Sequence, residues 1–211
     1  MQIDIVSDVV CPWCYIGKRR IERAIAIGAG PAPVIRWRPF QLNPDIPAEG
    51  LEREAYLALK FGGAANARQV YADITRAGAA EGLAFAFDRI ARTPNTLDAH
   101  RLIRLAEGHG CQDAVVEGLF RRYFIDGIDI GDPEHLSAVA VEAGLDGEAV
   151  ADYLASARDV EAVRAEDLKA RRLGITGVPC FIVDGRYAVS GAQAPEVFLR
   201  VFDAAREPAA G

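Results

Sequence analysis

Strand-forming runs occur only near the two ends of this chain, and that distribution constrains its fold more than any other feature. Residues 2 to 7 make a short, largely apolar strand, and Val34 to Arg38 alternate, with Ile35 and Trp37 opposite Arg36 and Arg38. The β-rich signal then disappears until Val178 to Ser190. From about Leu51 to Leu173 helical periodicity takes over, punctuated by Gly, Pro and Asp. A sheet formed by such a chain must join its beginning to its end around a helical insertion.

The elements follow in order. Pro12 to about Gly28 reads as a helix with Cys14, Gly17, Ile21, Ala24, Ile25 and Gly28 inward, so strand, helix and strand form a right-handed parallel βαβ unit. Pro39 to Pro44 is an irregular loop. The insertion predicts helices over 53–61, 66–82, 96–108, 112–124, 133–143, 147–155 and 160–173, the residues from Thr93 to Asp98 marking the start of the third, capped by Asn95. Asp184-Gly185 between two β-rich runs predicts a hairpin, Pro195 opens a last amphipathic helix, and residues 208–211 read as a frayed tail. The class is α/β: a mixed four-stranded sheet from residues 1–50 and 174–211, interrupted by an all-helical segment, 51–173.

Ser7-Asp8-Val9-Val10-Cys11-Pro12-Trp13-Cys14 sits where the first strand hands over to the first helix. Helix N–H groups without partners, together with the helix dipole, favour a thiolate at Cys11. Pro12 suits the first helical turn. Cys14, three residues on, shares a face with Cys11, close enough for a disulfide to open and close without refolding. The pair reads as a redox dithiol, Cys11 attacking and Cys14 resolving. Zinc needs four ligands, and Cys111, Cys180, His100 and His109 supply no second pair at the usual spacing, so no metal is expected.

The 211 residues are 51% hydrophobic, ample for a core. A net charge of −6 without a basic stripe argues against nucleic-acid or anionic-membrane partners. Arg19, Arg20 and Arg23, with Glu22 among them, read as a solvated helix face. No apolar run approaches the ~18 residues of a membrane helix, and the numbered chain starts directly in a strand without a signal core, so a cytoplasmic protein is expected. Cellular thiol pools keep most thiols reduced there, which favours disulfide reduction or isomerisation over net oxidation.

The element order is that of the thioredoxin fold, and the motifs resemble the DsbA-like proteins of the FrnE type. The resemblance rests on residues 8–18 around Cys11-Pro12-Trp13-Cys14, on Gly174 to Pro179, on Tyr187 to Gln193, and on Pro94 to His100. It implies a cis proline at Pro179 packed on the dithiol, with Val178 presented so that an extended substrate pairs with it. One departure is Trp13, where DsbA has His; without that chargeable neighbour a less oxidising pair is expected. Kappa-class glutathione transferases and 2-hydroxychromene-2-carboxylate isomerases are similar in layout but keep Ser at the position of Cys11. They imply an alternative: a glutathione-dependent isomerase or transferase of polyketide or aromatic metabolism, with glutathione at Ser190, Gly191, Gln193 and Val178.

Several residues read two ways. His100 is a surface histidine or a proton shuttle for Cys14. Asp4 is a buried acid serving Cys14 or a solvent-facing carboxylate. Cys180 is a small buried hydrophobe or a third redox thiol, and Asn95 is a cap first and a groove contact second. Cys111 lies in an oxidisable link between helices. The expected protein is a thiol-disulfide oxidoreductase acting through Cys11 and Cys14. Pro12, Trp13, Val178 and Pro179 contact a disulfide-bearing protein or small thiol. No cofactor is bound, glutathione is a candidate co-substrate, and glutathione or a thioredoxin-type protein is the reductant. The oligomeric state is open between monomer and homodimer.

Overall fold

The computed structural model describes residues 1–207, so the expectation for the tail falls outside the described residues. In chain order the elements are β1 (Gln2–Ser7), α1 (Pro12–Ile27), β2 (Val34–Pro39), β3 (Leu51–Glu52), α2 (Arg53–Phe61) and α3 (Ala64–Ala79). There follow β4 (Arg92–Thr93), α4 (Leu97–Glu107), α5 (Gln112–Arg121), α6 (Pro133–Glu142), α7 (Gly147–Ala155) and α8 (Val160–Arg172). The chain closes with β5 (Cys180–Val183), β6 (Tyr187–Ser190) and α9 (Pro195–Arg206).

β1 pairs in parallel with β2, placing Ile5 beside Trp37, and antiparallel with β5, placing Ile5 beside Phe181. The sheet order is β2-β1-β5-β6, a thioredoxin fold. The β5–β6 hairpin turns through Asp184 and Gly185, both at positive φ, 49° and 65°, which is why that dipeptide is needed. Because side chains alternate along a strand, Ile3 and Ile5 lie in the main core while Val6 joins a smaller cluster with Phe40, Ala170 and Cys180.

α1 buries more than the single stripe its sequence suggested. Cys14, Gly17, Ile21 and Ala24 are covered, but so are Tyr15, Ile16 and Lys18, because the helix is packed from both sides. Tyr15 stacks on Phe120 at 4.9 Å between centroids, continuing into Phe124 and Phe85. Such pairs contribute about 0.5–1.5 kcal/mol each beyond area burial. Of Arg19, Arg20 and Arg23 only Arg23 is exposed as expected, and all three are paired: Arg19 with Glu117, and Arg20 and Arg23 with Glu81, whose side chain is only 5% exposed. These arginines dock the insertion onto α1.

The insertion is helical with local differences from expectation: the helix expected over 66–82 runs from Ala64 to Ala79, and a 3-10 turn forms at Phe87–Arg89. Leu51–Glu52 and Arg92–Thr93 form a two-residue antiparallel ladder. The helix expected over 112–124 stops at Arg121 and widens into a π turn over Arg122–Asp126, where Phe124 O accepts the Ala86 N–H at 2.8 Å. β2 is an edge strand, and Gln112 covers it: its Oε1 accepts from Trp37 N and its Nε2 donates to Trp37 O.

Candidate active site

The turn that leaves β1 builds the site. Cys11 is the N-cap of α1, its N–H donating to Asp8 O at 3.0 Å, and Cys14 N–H closes the first turn on Cys11 O at 3.0 Å. Pro12, at the first helical position, has no N–H to leave unpaired. Cys14 Sγ lies beside Cys11, the Ser7 side chain and the Asp8 backbone, all of which act on its thiol. Both thiols are free. Burial pushes the Cys14 thiol well up, and the neighbouring Cys11 sulfur adds to the shift, while Ser7 and the Asp8 N–H act against it. Cys11 is 6% exposed and Cys14 1%, with Trp13 standing outside them at 37%.

Facing them, Cys11 Sγ donates to Val178 O at 3.5 Å, and the Val178–Pro179 peptide is cis. Gly17 permits this approach of α1 to β5, since a Cβ there would stand 3.0 Å from both Pro179 Cγ and Phe181 Cζ. Gly191 N–H donates to Pro179 O at 2.8 Å, and Gln193 Nε2 donates to Ser190 O, so Ser190, Gly191 and Gln193 form a turn docked on Pro179. Gly191 takes φ 79°, a conformation that favours glycine.

Other candidates are placed differently from expectation. Thr96, not Asn95, is the N-cap of α4, although Asn95 Oδ1 still accepts the Leu97 N–H at 3.0 Å. Asn95 also accepts from Gln41 Nε2 and donates to Ile46 O, tying the loop after β2 to α4. Asp4 is not placed to serve Cys14; strand parity turns it to the opposite sheet face, where, part-exposed, it pairs with Arg38 at 3.0 Å. His100 is not a surface histidine. It is 3% exposed, with Nε2 3.3 Å from Asp8 Oδ1, and Asp8 is 0% exposed.

Asp8 is the acid that sequence reasoning missed. Its one signal is a polar pair, Ser7-Asp8, placed between an apolar strand and an apolar turn. Its Oδ2 accepts the Leu42 N–H at 2.7 Å, which holds the loop after β2 against the motif. Cys180 is buried, its thiol pushed up by burial, and Cys111 is half-buried at the N-cap of α5. Among the described residues no cluster of His, Cys, Asp or Glu is arranged to hold a metal, and no helix is long and apolar enough to cross a membrane.

A thioredoxin fold that carries two adjacent cysteines where its first helix begins, under a large helical insertion, defines a narrow class of proteins. The chain belongs to the DSBA-like thioredoxin domain family, whose model matches residues 2–203. A probable DsbA oxidoreductase from Streptomyces coelicolor is 37% identical, with 99% of this chain and 92% of that one aligned at a TM-score of 0.88. The cytosolic disulfide reductase DsbM from Pseudomonas aeruginosa, solved with GSH, aligns over 97% of this chain and 98% of its own at 18% identity and TM-score 0.69. A 2-hydroxychromene-2-carboxylate isomerase aligns over 98% and 95%, at 18% identity and TM-score 0.67. The last two likenesses speak to the fold.

Proposed function

We propose that this protein is a thiol-disulfide oxidoreductase working through Cys11 and Cys14. The observation that carries the reading is the pair itself, two free sulfurs side by side at a helix start, with Cys11 against the Val178 carbonyl. The Cys11 thiolate attacks one sulfur of a substrate disulfide, forming a mixed disulfide and expelling the other sulfur as a thiolate that takes a proton from solvent. Cys14 loses its proton and attacks Cys11 Sγ, releasing the second substrate thiolate and leaving a Cys11–Cys14 disulfide. Two electrons have passed to the substrate. Glutathione or a thioredoxin-type dithiol restores the pair. The chemistry needs no metal or bound cofactor. Pro12, Trp13, Val178 and Pro179 surround Cys11, and an extended disulfide-bearing peptide or small disulfide would lie along them. We place the reaction in a reducing, cytoplasmic setting, in the manner of the FrnE-type proteins the motifs resemble.

Cys14→Ala is expected to accumulate mixed disulfides that Cys11→Ser cannot form, read on a thiol-trapping gel. Identical behaviour of the two variants would remove the assignment of attacker and resolver. A second reading, a glutathione-dependent isomerase or transferase, is favoured by the Ser190–Gly191 turn held on Pro179. In that reading the half-buried Asn95, already bonded to Gln41 and Ile46, would be a secondary contact, and His100, 3% exposed, would act from behind it. That reading requires saturable glutathione binding and a turnover that survives Cys14→Ala. An insulin-reduction assay of wild type and Cys14→Ala, with and without glutathione, separates the two.

A further inference from the structure

Resting on that reading, the buried Asp8–His100 pair raises a question the dithiol alone does not answer. Asp8 Oδ1 and His100 Nε2 are enclosed and have no aligned hydrogen-bond partner, only each other at 3.3 Å. Leaving two such groups unpaired in the interior costs stability that an apolar pair would not. A shared cavity links them to the dithiol. Ser7, beside Cys14 in the turn that leaves β1, and His100 line the same small cavity, about 10 Å³, whose other walls include Trp37, Arg38 and the apolar Val9, Ile103 and Val116. That is about the space one water requires.

We propose that Ser7, His100 and Asp8 form a buried relay that removes the proton of Cys14 during resolution of the mixed disulfide and returns it when the pair is reduced again. As the Cys14 S–H bond breaks and its electron pair forms the bond to Cys11 Sγ, the proton passes to the Ser7 oxygen. The serine proton moves through a water in the cavity to the imidazole nitrogen that does not face Asp8. The resulting imidazolium is held by the Asp8 carboxylate, and the substrate thiolate departs with the electron pair of the broken mixed disulfide. Cys14 needs such help because it is deeper than Cys11 and its thiol is held up by burial. Ser7 is the member of the relay beside the reacting sulfur; His100 and Asp8 act through it as positioning residues.

The other charged and titratable groups facing the pair do not replace it. Cys11 is the attacked sulfur. Arg38, on the cavity wall, is paired with Asp4 and Glu107. Arg171 of α8, within electrostatic reach of Asp8, is paired with Asp167, and Tyr56 of α2 is held neutral by burial.

Reaction of the reduced protein with dithiobis(nitrobenzoate), in a Cys111→Ser background, separates the two steps. The first coloured thiolate reports attack by Cys11, and the second reports attack by Cys14 on the mixed disulfide. Asp8→Asn, His100→Gln and Ser7→Ala are each expected to slow the second release about 100-fold near neutral pH, within the usual range for general acid–base help. The first release should change little, and the deficit should shrink as pH rises and hydroxide takes over. Equal slowing of both releases, an unchanged second release, or a deficit independent of pH overturns the relay. Ser7→Ala, the smallest change and one that leaves the buried pair intact, decides the matter if the other variants unfold. A wild-type protein lacking the second release would instead remove the dithiol reading.

Discussion

Trp13 is the exposed residue of the motif, standing over two sulfurs that are themselves covered. A histidine in its place would supply a cation able to stabilise a neighbouring thiolate, and with it the reduced protein. Wild type should therefore have a potential well below the about −120 mV of DsbA, and Trp13→His should raise it. Equilibration with glutathione buffers measures both; a wild-type value equal to that of DsbA, or no rise in the variant, would contradict the argument. At this scale the sequence displayed the cysteines and Pro179 because a strand-to-helix handover and a proline before a β-rich run are local patterns. It did not display Asp8, and it left His100 open between a surface residue and a proton shuttle. Whether a polar side chain is buried depends on what packs across from it, and their partners lie in segments far apart in sequence.

α1 shows the same limit for a whole element. Its bounds were legible from Pro12 and the glycines beyond Ile27, and the ranges expected for α2 and α7, 53–61 and 147–155, match the structure, where Gly62 ends the first and Asp146 caps the second. Its charged side was not, since Lys18, Arg19 and Glu117 look solvated until α5 is laid against α1. Lys18 is 3% exposed in its side chain and contacts Glu22, Asp113 and Glu117. Burial raises the Glu117 carboxyl, but hydrogen bonds from Arg19 and Tyr15 and the Lys18 charge outweigh it and hold the group below its ordinary range. A carboxylate lowered on folding contributes stability above its unfolded pKa and loses it as pH falls through the folded value. Glu117→Gln should cost about 2 kcal/mol at neutral pH, and its urea midpoint should converge on that of wild type in acid below the ordinary glutamate range. Parallel curves at all pH values would show that the ionised state of Glu117 is not what docks α5.

The whole molecule divides by topology but not by core. The chain order separates a sheet from 1–50 and 174–211 and an insertion from 51–173, a partition visible in the sequence as the loss and return of strand signal. Yet one continuous apolar cluster runs from Ile3, Ile5, Phe181 and Phe198 under the sheet to Leu102, Phe120, Leu136 and Tyr153 in the insertion. Trp37 of β2 is held at both its backbone and its indole by the first two residues of α5, Gln112 and Asp113. Neither part can expose its side of that contact without leaving aromatic surface and buried polar groups without partners, so the two should unfold together. Urea transitions followed by tryptophan fluorescence, which includes Trp37 at the boundary, and by far-ultraviolet dichroism, weighted toward the helices, are expected to coincide. A helical transition persisting after the fluorescence change is complete would mean that the insertion holds itself together, and that its grip on the dithiol is looser than the shared core requires.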